Sequence, residues 1–136
     1  MLRLLKQEDF AILFASELAR SPRYLVSLAA IGKAHGVSIP FLKKLARDLR
    51  KAGLVESKEG AGGGYRLAKG AKFISVLDVM EAVGKRKQEI MVRTYIKKQC
   101  PLYTHCLPQA IRERLGEALR GSLRTISLHD LTHQSV

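Results

Sequence analysis

The chain has 136 residues, 46% of them apolar, with 24 Lys and Arg against 12 Asp and Glu and a formal net charge of +12. That length holds one compact domain, or a small domain with an appended helix, and a core can form. So basic a domain releases condensed counterions on meeting a polyanion, making nucleic acid the leading partner, while no apolar window approaches a membrane span.

From Gln7 to Arg20, the residues Phe10, Leu13, Phe14 and Leu18 recur at helical spacing, and Ser21-Pro22 ends that helix. Ser27 reads as the N-cap of a short second helix carrying Leu28 and Ile31. His35-Gly36-Val37 makes a tight break. Ser38 is the next N-cap candidate, and Pro40 is tolerated because the first-turn N–H has no helical partner. The third helix spans about Ile39 to Ala52. Leu42, Leu45 and Leu49 form its buried stripe, Gly53 sits where a left-handed residue closes a helix, and the opposite face carries Lys43, Lys44, Arg47, Arg50 and Lys51. Two helices around a turn, the second basic on its outer face, predict a helix-turn-helix.

Leu54 to Lys58 reads as a short strand, Gly60 to Gly64 as a glycine-rich turn, and Tyr65-Arg66-Leu67 as the returning strand. A hairpin directly after the basic helix is a wing. Ile74 to Val83 reads as a strand end plus a short helix. Gly84 to Gln99 is basic but holds Ile90, Met91, Val92 and Tyr95, so it is more than a solvated linker. Cys100-Pro101 to Cys106 is a loop. From about Pro108 a long amphipathic helix carries Ile111, Leu115, Leu119 and Ile126, and Ser127 to Leu131 add one more turn before a frayed tail.

The fold class expected is therefore mostly α: a winged helix-turn-helix with a small β-hairpin wing and a long C-terminal dimerisation helix. The division is 1–83 for the DNA-binding domain, 84–106 for a basic cysteine-containing sensor loop, and 107–136 for the dimerisation helix and tail. Ser38, Pro40, Phe41, Lys43 and Lys44 open the basic helix and point toward base edges. Arg47 and Arg50 are placed for phosphate contacts or for ion pairs at the core edge. In the wing, Gly62, Gly63, Gly64 and Tyr65 shape the turn, while Lys58 and Arg66 meet phosphate or the minor groove and Glu59 repels phosphate. The glycines are not a phosphate-binding P-loop, since Gly64 leads into a strand rather than a Gly-Lys-Ser/Thr helix start.

MLRLLKQEDF meets acidic residues too early for a secretory signal, so a cytoplasmic location is expected, where Cys100 and Cys106 stay reduced. Two thiolates do not fill a tetrahedral metal site; His105, Asp9, Glu8 or a second subunit would have to complete it, and soft sulfur favours iron–sulfur, zinc or copper(I). The same residues fit two inert thiols. No nucleophile–base pair or convergent carboxylates suggest an enzyme.

The stretches VSIPFLKKLARDLRKAGLV, GAGGGYRLA and ISVLDVMEAV resemble the winged-helix regulators of the IscR, NsrR and CymR type, and the likeness extends from Asp9-Phe10-Ala11 to Thr125-Ile126-Ser127-Leu128. The resemblance implies a homodimer joined through the long helix on a palindromic operator. It implies DNA reading by the helix from Ser38 to Leu49, with the wing in the minor groove. Cluster-binding members hold iron–sulfur through three loop cysteines and a ligand from elsewhere, in some an acidic residue near the partner's N-terminus. Here Cys100 and Cys106 match the second and third cysteines, and Asp9 matches the acidic position. Thr94 stands where the first cysteine falls, Gln109 where IscR has a histidine, and Glu59 where IscR-like wings carry arginine.

The expectation is a sequence-specific, homodimeric transcriptional regulator of bacterial type that senses iron–sulfur or redox or nitrosative state through the cysteine loop. The alternatives are a cluster-free regulator without a cofactor, answering thiol oxidation or a small metabolite, and a basic RNA-binding protein. An aromatic content of 6% offers the last few stacking platforms.

Overall fold

A computed structural model describes residues 6–84 and 109–133. Its elements run α1 (Lys6–Arg20), α2 (Leu28–His35), α3 (Ile39–Lys51), β1 (Val55–Lys58), β2 (Gly64–Leu67), a 3-10 turn (Ala71–Phe73), α4 (Val76–Val83), α5 (Gln109–Thr125) and α6 (Leu128–His133).

α1 is the central support. Ala11, Phe14, Ala15 and Leu18 are buried, whereas Leu13 and Phe10 are half-buried, so small alanines share the inner face with the larger side chains. Ser27 caps α2, its hydroxyl accepting from the Ala30 N–H at 3.1 Å. Gly36, left-handed at φ 65°, ends α2 and begins the turn into α3. α3 buries Leu42, Leu45, Ala46 and Leu49, which is the spacing of one helical face. Ser38 occupies the N-cap backbone position, but its side chain makes no cap hydrogen bond.

β1 and β2 pair antiparallel with Val55 opposite Leu67 and Lys58 opposite Gly64. A third segment, which no local pattern announces, joins the hairpin. Val26, just before α2, donates to the Tyr65 carbonyl and accepts from the Tyr65 N–H, both at 2.9 Å. The wing is thereby anchored to the segment that enters the helix-turn-helix. Gly64 makes this approach feasible: a Cβ there would stand 2.7 Å from the Val26 carbonyl oxygen.

The C-terminal region differs from the expected single long helix with a last turn. α5 stops at Thr125. Ile126 and Ser127 then run antiparallel to Ile74 and Ser75, and α6 turns back to pack on α1 and the 3-10 turn. In place of the expected strand end at Ile74 there is a single isolated bridge between Ser75 and Ser127. Leu128 and Ile74 are both fully buried in the main core, so α6 packs with the winged-helix elements. No helix among the described residues is long and apolar enough to cross a membrane.

Candidate nucleic-acid interface

The amphipathic burial of α3 decides which of its side chains meet solvent. Turning Leu42, Leu45, Ala46 and Leu49 inward leaves Lys43, Lys44, Arg47, Arg50 and Lys51 on the outside, all exposed. Among the described residues Lys43, Lys44 and Arg47 form no ion pair, so three cationic side chains stand uncompensated along roughly one turn of helix. Ser38 and Pro40 are exposed at the same end. The Ser38 hydroxyl, unused in capping, is available as a donor at the surface.

Phe41 is placed otherwise than expected. Its ring meets Phe10 of α1 edge-on, with centroids 5.6 Å apart, and it packs against the core instead of joining the outward basic face. Tyr65 likewise turns inward, its ring 6.0 Å from that of Phe14. Both aromatics hold α3 and the hairpin on α1. Their periodic neighbours were legible in the sequence, but which side of the helix start Phe41 takes depends on how α3 lies across α1.

Alternation along the hairpin puts Glu56, Lys58 and Arg66 on its exposed face. Arg66 is not a free cation there: its Nε lies 3.0 Å from the carboxylate of Glu56, its cross-strand partner. Arg50 donates to the Ser57 hydroxyl at 3.0 Å, which ties the end of α3 to β1. This is a neutral acceptor in place of the core-edge ion pair that the sequence suggested. Lys58 and Glu59 are exposed at the tip. At the turn, a Cβ on Gly63 would stand 2.2 Å from the Lys58 carbonyl oxygen, so the chain doubles back too tightly there for any side chain. The structure thus brings Ser38, Pro40, Lys43, Lys44 and Arg47 onto one exposed run, turns Phe41 and Tyr65 away, and ties Arg50 and Arg66 to wing residues.

A family profile described as Rrf2, iron-dependent transcriptional regulator, matches residues 4–134. The chain belongs to the Rrf2 family. An HTH-type transcriptional regulator IscR of Cereibacter sphaeroides is 50% identical over 64 residues, covering 47% of this chain and 41% of that protein. The regulator of the same name in Klebsiella pneumoniae is 39% identical over 108 residues, covering 79% of this chain and 65% of that one. The chain thus spans less than two thirds of each of these relatives. The structure of CymR, described as the global cysteine regulator of B. subtilis, matches with a TM-score of 0.76 at 26% identity over 100% of both chains. These family relatives are transcriptional regulators, not enzymes, and the winged-helix architecture is theirs.

A family described as iron-dependent raises the question of a bound iron centre. Cys100, Cys106 and His105 lie outside the described residues. Asp9 is exposed in the first turn of α1, and its neighbour Glu8 is buried. Among the described residues no three His, Cys, Asp or Glu side chains converge on a metal position. Clusters are commonly held by four thiolates, and this chain has two cysteines. Two thiols do not make up an all-thiolate set, so other donors would have to complete a cluster here.

Proposed function

We propose that the protein is a cytoplasmic, homodimeric transcriptional regulator that binds a palindromic duplex, α3 entering the major groove and the wing lying along the adjacent backbone. The observation that carries this reading is the uncompensated run Lys43, Lys44 and Arg47 on α3, beside a hairpin with Lys58 exposed at its tip. The N-terminal Ser38, Lys43 and Lys44 read base edges, and Arg47 and Lys58 fix the register on phosphates. Ile111 and Leu115, each 45% exposed on α5, form the apolar stripe that a second copy covers. Binding to a random duplex library, followed by anisotropy titrations over a salt series, tests this. Lys43→Ala and Lys44→Ala lower affinity for the selected duplex by about tenfold or more each, as expected for lost base-edge contacts. Lys58→Ala lowers selected and random duplex alike and makes the log–log salt slope about one unit shallower. Equal losses on both duplexes for every variant refute that division, and tighter binding of structured RNA than of any duplex refutes the DNA reading.

The signal is read at Cys100 and Cys106, and with only two thiols in the chain the favoured chemistry is oxidation of the pair to a disulfide. Two electrons pass to a peroxide or disulfide oxidant, and two protons leave the thiols. An anaerobic absorption spectrum with iron and sulfide analysis tests it. Iron and sulfide in stoichiometric amount overturn the thiol-pair reading in favour of a cluster completed by Asp9, His105 or the second subunit.

A further inference from the structure

The segments Ile74-Ser75-Val76-Leu77-Asp78 and Ile126-Ser127-Leu128-His129-Asp130 repeat one pattern, Ile-Ser-x-x-Asp. They also meet. Val76 donates to the Ile126 carbonyl at 2.8 Å, and Leu128 donates to the Ile74 carbonyl at 2.9 Å, around an antiparallel bridge between Ser75 and Ser127. Each serine caps the helix that follows. Ser75 Oγ accepts from the Asp78 N–H at 3.0 Å, while Asp78 accepts from the Ser75 N–H at 2.9 Å. Ser127 Oγ accepts from the Asp130 N–H at 3.1 Å, while Asp130 accepts from the Ser127 N–H at 2.9 Å. The two halves form a reciprocal clasp with pseudo-two-fold symmetry, each strand feeding a capped helix into the same core.

The clasp lies at the C-terminal end of α5. About one and a half turns earlier, Arg120 of α5 pairs with Glu81 of α4 in a half-buried contact. The base of α5 is therefore held to the winged helix by backbone and ionic links, while Ile111 and Leu115 near its other end are exposed. α5 has 17 residues and so is about 25 Å long. A tilt of about 10° at its base displaces the far end by roughly 4 Å, more than the rise of one DNA base pair.

We propose that this clasp, with the Glu81–Arg120 pair, sets the separation and relative rotation of the two DNA-reading units, and so decides which half-site spacing the dimer accepts. The inference rests on the dimeric, DNA-binding reading above. Ser127 and Asp130 are positioning residues, remote from the exposed run on α3. Inserting one base pair between half-sites rotates one of them by about 35°, and a rigid dimer cannot follow that without strain. A dimer whose α5 pivots freely can.

The test uses the full chain and a palindromic duplex selected from a random library by the unmodified protein, remade with one or two base pairs inserted or deleted at its centre. A duplex with a single half-site serves as the second probe. The unmodified protein loses about tenfold or more in affinity per base pair of misfit. Ser127→Ala with Asp130→Ala keeps the half-site affinity and flattens the spacing profile to about threefold or less. Glu81→Gln with Arg120→Gln leaves every backbone bond of the clasp in place and carries the same measurement if the first variant does not fold. Variants that remain dimers and keep the original spacing profile overturn the inference alone. A protein that is monomeric in sedimentation, or binds one half-site as tightly as two, overturns the dimeric reading and the inference with it.

Discussion

Replacing Gly63 by alanine tests whether the wing's shape, rather than its charge alone, serves DNA binding. The added Cβ would stand 2.2 Å from the Lys58 carbonyl oxygen, 2.9 Å from the Gly60 carbonyl oxygen and 3.1 Å from the Glu59 carbonyl carbon. All three are backbone atoms, so no flexible side chain can yield, and the turn itself must open. Opening it also strains the Gly63 N–H bond to Gly60, now 3.0 Å. Overpacking of this kind costs about 1–3 kcal/mol. The helical core does not pass through the wing tip, so the fold survives and the melting temperature drops by about 3–10 °C, a size-scaled conversion of that cost. Lys58, directly across from Gly64 in the hairpin register, is displaced with the turn. Duplex affinity then falls with the salt slope about one unit shallower, as for one lost phosphate contact. Calorimetry and anisotropy titrations between low and moderate salt check both parts. A Gly63→Ala protein with unchanged melting and unchanged binding would refute the steric reasoning, and lowered melting with unchanged binding would remove the wing from the interface.

Leu115→Glu places a charge on the apolar face of α5 in both subunits of a dimer. Burying it unpaired costs about 3 kcal/mol or more, a weakening of roughly a hundredfold in dimer affinity, while circular dichroism of the monomer stays helical. Sedimentation equilibrium checks this, and an unaltered dimer would move the interface elsewhere. Asp130 provides a pH test. Its carboxyl is held below the ordinary aspartate range, chiefly by the Ser127 backbone N–H and then by the Ser127 hydroxyl; desolvation opposes them, and His129 adds last to the lowering. A carboxyl depressed in the folded state contributes stability above its unfolded value that is lost as pH falls through the folded value. Melting temperature therefore declines below the ordinary aspartate range, and Asp130→Asn lessens that decline; parallel curves for the two proteins would count against the contribution.

Periodicity made α1, α2, α3 and the hairpin legible, because each is a local pattern: apolar residues at helical spacing, serine at the caps, glycine at the turn. The capping role of Ser27 could be read directly, since a hydroxyl reaching the N–H three residues on is a short-range bond. The position of Phe41 could not. At the start of an amphipathic helix it lies near the boundary between the two faces, and only the crossing of α3 over α1, with Phe10 waiting there, turns its ring inward. Arg66 posed the same difficulty: a cation on a wing points to phosphate until the hairpin register sets Glu56 opposite it.

The C-terminal region shows the clearest division. The stripe Ile111, Leu115 and Leu119 announces an amphipathic helix, and the repeated Ile-Ser-x-x-Asp pattern is visible in the chain once looked for. Nothing local says that the two copies pair across about fifty residues, because the bridge depends on α6 packing on α1 and the 3-10 turn and on Leu128 entering the core. What the sequence by itself determined is a basic helix-turn-helix with a wing, through residue patterns whose partners lie within a few positions. The tertiary structure alone decided which cations stay uncompensated, how the wing is anchored at Val26, and where α5 is held. Those outcomes rest on contacts between residues far apart in the chain, made by the packing of whole elements.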